Sequence, residues 1–142
     1  MIDTVVVATD GSESVRRCVD VAFDLGARFE ADMHALYVVD DTEIESSPEQ
    51  LREDLEAALE ESGEETLAEV RDWTDREVTT AIRRGDPASE IVAYAQEQDA
   101  DVVATGTRGR HGEHRFLLGS VAERIVRTCP VPVLTVRQLE AT

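Results

Sequence analysis

Five short apolar runs, rich in β-branched residues, punctuate this chain at Thr4 to Ala8, Met33 to Val39, Glu77 to Arg84, Asp101 to Thr105 and Val133 to Val136. Between them lie segments with helical spacing. The first run, T-V-V-V-A, shows no polar alternation, as expected of a strand buried on both faces of a parallel sheet. Val15, Cys18, Val19, Ala22 and Phe23 then recur at helical pitch, with Arg16, Arg17, Asp20 and Asp24 on the opposite face. Leu51, Leu55, Leu59, Leu67, Val70 and Trp73 mark a second helical stripe, Ile91, Val92 and Ala95 a third, and Val121, Ala122, Ile125 and Val126 a fourth. Strict alternation of this kind predicts an α/β fold: an open parallel sheet with helices on both faces, joined by right-handed crossovers. At 142 residues, with neither an internal repeat nor a linker, the chain is expected to be one domain, 1–142.

Local signals set the expected boundaries. Asp10 is suited to N-cap the first helix, with Glu13 completing a capping box, and Gly26 to stop it. Ser47-Pro48 reads as a cap followed by proline at the first helical position. Ser62-Gly63 is expected to bend the long second helix. Asp86-Pro87 opens the third helix by the same logic, and Pro130 and Pro132 end the last one.

The charge balance limits the partners. Asp plus Glu total 31 against 14 basic residues, all of them Arg, for a formal net charge of −17. Double-stranded nucleic acid is therefore not expected as a partner. An acidic surface without lysine keeps a protein hydrated where salt screens charge over a few ångströms, so a high-salt (halophilic) cytosol is expected. Hydrophobic residues make up 42%, too many for a disordered chain. No apolar run approaches the roughly 20 residues that span a bilayer, and Met1-Ile2-Asp3 lacks the basic start of a signal peptide. The expectation is a cytoplasmic protein that meets no membrane. Cys18 and Cys129 fit no metal or redox spacing and read as buried thiols.

One stretch stands apart, T-G-T-R-G-R-H-G-E-H-R-F-L-L-G-S-V from Thr105 to Val121. It holds Gly106, Gly109, Gly112 and Gly119, four of the eight glycines, together with Arg108, Arg110, Arg115, His111 and His114. A glycine-spaced loop that ends at a helix start, here Ser120, suits an anion, because bare backbone and unpaired amides both face it. In an open parallel sheet, ligands lie beyond the carboxyl ends of the strands, where strand order reverses. Thr9 to Ser12, Val38 to Asp41 and Gly106 to Ser120 are the segments in that position.

The spacing Gly106-x2-Gly109-x9-Gly119-Ser120, followed by V-A-E-R-I-V-R-T-C-P-V-P-V-L-T-V, resembles the nucleotide-binding branch of the universal stress protein family. The entry of Val5-Val6-Val7-Ala8 into Thr9-Asp10-Gly11-Ser12 and the Gly85-Asp86-Pro87 turn match in type and order, so the likeness covers the whole chain. It implies a five-stranded parallel sheet in the order 3-2-1-4-5, of the adenine-nucleotide alpha-hydrolase-like kind. It implies that Asp10, after Ala8 and Thr9, lies near ribose and adenine, and that a backbone group near Val38 meets the adenine edge. Gly106, Gly109, Gly119 and Ser120, with the neighbouring Arg108 and Val121, would hold the phosphates of ATP or a related adenine nucleotide, with Mg²⁺ as an optional companion. It implies, finally, a homodimer paired along the edge strand Val133 to Val136, and a role in stress response or signalling.

Two alternatives stay open on the residues alone. One is slow Mg²⁺-dependent ATP hydrolysis, with Asp10 and Ser120 on the metal and Arg108 or Arg110 on the phosphates. The other is a family member that has lost its ligand and acts through protein contacts. Fast phosphoryl transfer is not expected, since G-x-x-x-x-G-K-[ST] is absent and there is no lysine for it. A phosphorylated receiver domain fails because the third run ends in Arg83-Arg84-Gly85 rather than an aspartate and no lysine follows the fifth, and a serine or thiol hydrolase for want of G-x-S-x-G. His34, inside an apolar run, reads as a core or strand-end residue with a satisfied hydrogen bond, and Trp73 and Tyr94 as packing.

Overall fold

The computed structural model describes residues 1–107 and 119–138. In chain order the elements are β1 (Thr4–Ala8), a 3-10 turn (Glu13–Val15), α1 (Arg16–Phe29), β2 (Asp32–Asp40), α2 (Asp41–Glu45), α3 (Glu49–Asp72), β3 (Val78–Gly85), α4 (Pro87–Glu97), β4 (Val102–Gly106), α5 (Ser120–Thr128) and β5 (Val133–Val136). All five strands are parallel and lie in the order β3-β2-β1-β4-β5. The strands stand as expected; the short α2 was not anticipated.

Burial on both faces explains why the first run shows no alternation. Val5 and Val7 pack with α1 and α3, against Cys18, Val19, Leu67 and Val70. Val6 and Ala8 pack on the other face with Ile91 and Tyr94 of α4 and Ile125 of α5. Val5, Val6 and Val7 are each 0% exposed, and full burial of such a side chain contributes about 1.5–3 kcal/mol. His34 meets its expectation: its Nδ1 lies 2.7 Å from the Tyr94 hydroxyl, and the two rings meet edge to face. Burial lowers the His34 pKa, with Asp32 opposing the shift.

Several boundaries differ from the expected ones, each for a packing reason. Gly26 does not stop α1; it is buried inside the helix against Met33, and Glu30 ends it in the left-handed region at φ 54°. At the start of α3 the cap is Pro48 rather than Ser47, whose hydroxyl donates instead to the Glu43 carbonyl. Gly63 does not divide α3, which runs as one element. A Cβ on Gly63 would come within 2.7 Å of the Tyr37 ring, so the glycine lets helix and sheet approach closely. At 24 residues α3 is about 36 Å long, whereas the eight-residue β3 spans about 26 Å. The helix outruns the sheet, and Leu51 in its first turn is 54% exposed despite its place on the stripe. Val126 also faces outward, leaving Ala122 and Ile125 to bury α5.

Candidate functional site

The chain leaves β1 toward β2 on one side, while β4 pairs with β1 on the other, so strand order reverses between β1 and β4. Beyond the carboxyl ends of these strands opens a cleft with a volume of about 230 Å³. Ala8, Thr9, Asp10, Val38, Gly106, Gly119, Ser120 and Val121 all line it. Those eight sequence-expected residues come from separate stretches of the chain, at the ends of β1, β2 and β4 and the start of α5, and are brought together at one place. Arg108 and Gly109, with the remaining basic residues of the glycine stretch, lie outside the described residues.

One wall is bare strand. The Thr9 amide donates to the Leu36 carbonyl at 2.9 Å, and there β1 turns away. β2 runs on for four more residues while staying in register with β3, Val38 opposite Arg83 and Asp40 opposite Gly85. Backbone groups alternate sides along a parallel strand. The N–H and C=O of Val38 therefore point the same way as those of Leu36, toward the side that β1 has vacated. A donor and an acceptor next to one another on a strand end match the Watson–Crick edge of adenine, which offers an acceptor beside an amine. Guanine presents the reverse order.

The opposite wall is a helix start. Gly119 is the N-cap of α5 and, having no side chain, makes no side-chain cap. Its carbonyl accepts from the Glu123 amide at 2.9 Å and its own amide donates to the Thr107 carbonyl at 2.6 Å. The first-turn amides of a helix have no acceptor on their own helix, and Val121 in that turn lines the cleft. They carry the positive end of the helix dipole, so the geometry suits a phosphate group. Gly106 and Gly119 are both buried, and neither puts a side chain between those amides and the cleft.

Asp10 lies between the two walls, in a role other than the expected cap. Its Oδ1 accepts from the Ser12 amide at 2.9 Å and the Ser12 hydroxyl at 2.6 Å, closing a local turn two residues long. The 3-10 turn then separates it from α1, so no capping box with Glu13 forms. Gly11, inside that turn, has φ +82°, and a Cβ there would meet the Thr66 hydroxyl at 2.7 Å. Glycine is required at that point on both counts.

The sequence reasoning did not place Glu43 or Leu59 at the cleft, which both line, and it included Asp40 and Thr107 only within the segments expected there. Asp40 N-caps α2 through a bond from the Thr42 amide at 2.9 Å, which brings Glu43 to the cleft and buries Ile44. The signal for α2 was present as an Asp two residues before a Thr, but five residues are too few to show helical periodicity. Behind the α5 wall, Asp86 caps α4 and pairs with Arg124 of α5 at 2.8 Å. The Arg124 hydrogen bond, aided by Ser89 and opposed by burial, holds the Asp86 carboxyl down at about 2. No group of three metal-ligating side chains occurs among the described residues. Among them, too, no helix is long and apolar enough to cross a membrane.

Comparison with known proteins agrees with this architecture. The sequence model of the universal stress protein family matches residues 1–137. A universal stress protein of Methanocaldococcus jannaschii, MJ0531, is 36% identical over 138 residues, covering 94% of this chain and 81% of the relative. Among solved structures, hypothetical protein MJ0577 superposes with a TM-score of 0.87 at 25% identity over 99% of both chains. A universal stress protein in complex with cAMP gives a TM-score of 0.71 at 25% identity, over 97% of this chain and 98% of that one. Fold, strand order and sequence agree along almost the whole length, and the chain belongs to the universal stress protein family.

Proposed function

We propose that this protein binds ATP, or a related adenine nucleotide, in the cleft between β1 and β4, and that it serves as a stress-response or signalling module rather than as an enzyme. The observation that carries the reading is the pairing of two unlike walls. The strand end at Val38 suits adenine, and the side-chain-free start of α5 at Gly119 suits phosphate. The cAMP complex of a structural neighbour supports the choice of an adenine nucleotide. Asp10, held by Ser12, lies between the walls and is assigned to the ribose. A cytoplasmic setting and a homodimer paired along β5 belong to the same proposal.

Mass spectrometry of small molecules released from protein purified in high salt tests the reading. Co-purifying ATP or AMP is the expected result, and an empty protein that also fails to take up added nucleotide would refute it. A time course with ATP and Mg²⁺ then separates binder from slow hydrolase. Asp10→Ala is expected to weaken nucleotide binding at least tenfold while the far-UV spectrum stays unchanged. Equal affinity in calorimetry would remove Asp10 from the site.

A further inference from the structure

The wall at the base end is built on α2, a helix too short to hold itself. Five residues make little more than one turn, and helix nucleation at that length is unfavourable. Something outside it has to fix its position. Apart from the Asp40 cap and the buried Ile44, two arginines grip it. Arg52 takes its C-terminal end, donating to the carbonyls of Glu45 at 3.0 Å and Ser47 at 3.1 Å. Arg84 takes its N-terminal end.

Arg84 lies next to last on β3, opposite Val39 in the register, and does not line the cleft. Its Nε donates to Asp41 Oδ1 at 2.6 Å, and its Nη1 to Glu56 Oε1. Asp41 is the first residue of α2, and Glu56 belongs to α3, one turn before Leu59 of the cleft wall. One guanidinium therefore ties together three elements, β3, α2 and α3, at the point where β2 hands over to α2. The planar fork supplies two donors at a fixed angle to two different carboxylates. A lysine ammonium has no such geometry.

We infer that Arg84 is a positioning residue for the base end of the nucleotide cleft: by bridging Asp41 and Glu56 it fixes α2, and with it the Val38–Asp40 strand end that faces the ligand. This deepens the nucleotide-binding reading and rests on it. Arg83, one residue earlier, pairs with Glu97 of α4 and stacks near Tyr94. It is a built-in control, with the same charge and the same strand but no link to α2.

The experiment compares wild type, Arg84→Met, Arg84→Lys and Arg83→Met, each as the full chain. Amide hydrogen exchange of the unliganded protein is followed over residues 41–47 and, for reference, 120–128. Calorimetry measures adenosine, AMP and ATP. Arg84→Met is expected to speed exchange in 41–47 and leave 120–128 unchanged. It should weaken all three ligands by a similar factor of about five, the scale of two partly exposed ion pairs. A common factor locates the loss at the adenosine end, whereas a general loss of stability would spread to α5. Arg84→Lys should restore at most part of the effect, and Arg83→Met should behave as wild type.

Unchanged exchange in 41–47, or an equal effect of Arg83→Met, would overturn the assignment of Arg84. So would a loss confined to ATP. If wild type binds none of the three ligands, the nucleotide reading fails, and the positioning of α2 by Arg84 is decided by the exchange data alone.

Discussion

Gly119→Val is the perturbation that most directly probes how the phosphate side works. Gly119 has φ −65° and ψ 159°, extended values that valine adopts readily, so the substitution meets no backbone strain. Its two backbone bonds, to Thr107 and from Glu123, do not depend on the side chain. The expected cost to the fold is that of a poor N-cap, up to about 1 kcal/mol, or a few degrees in Tm. The cost to binding is larger. Gly119 is buried and lines the cleft, so a branched side chain there is expected to crowd the first amides of α5. A hydrogen bond from backbone N–H to a charged oxygen contributes about 1.5–3 kcal/mol. Losing two of them raises Kd by at least about a hundredfold, at 1.4 kcal/mol per factor of ten. Calorimetry with ATP measures the loss, and thermal melting checks that the protein is still folded. A variant with native-like melting and a Kd within tenfold of wild type would show that the start of α5 does not hold the phosphates.

Three further outcomes follow from particular contacts. Asp86 has its pKa depressed from 3.8 to about 2 in the folded state, so it contributes stability above the unfolded value that is lost as pH falls from about 4 toward 2. With its side chain 44% exposed, solvent screening reduces that contribution to about 1 kcal/mol; Asp86→Asn should remove it at pH 6 and converge with wild type near pH 2 in thermal melts. In β5 the carbonyls of Pro132 and Val136 accept from Val103 and Thr107 of the β4 side, so by alternation the amide of Thr135 points away from the sheet. Thr135→Pro therefore leaves the β4 ladder intact and removes one outward donor; sedimentation should show a dimer become a monomer, and an unchanged dimer would exclude pairing along β5. The excess of 31 acidic over 14 basic residues predicts stability that rises with molar KCl, and a flat denaturation midpoint across that range would exclude a high-salt adaptation.

The extent of what could be read without coordinates differs from element to element. β1 was legible because burial on both faces removes polar alternation, and three successive valines with no exposed surface are what that requires. α5 and β5 were legible because Ser120 and the prolines at 130 and 132 bracket them. Gly26 misled because a glycine carries the same letter whether it ends a helix or lets one pack closely, and only the position of Met33 on the neighbouring strand separates the two cases. Asp10 misled likewise, since an aspartate before Gly-Ser can cap a helix or close a local turn, and the positive φ of Gly11 chose the turn.

By itself, then, the sequence determined the alternation of strands and helices and the family, because periodicity and backbone permissiveness are local properties. Tertiary structure alone decided that α2 and α3 add Glu43 and Leu59 to the cleft, because β2 outlasts β1 and α2 folds back against Arg84. Those are long-range facts of register and ion pairing, and no short window of sequence encodes how far one strand runs past its neighbour.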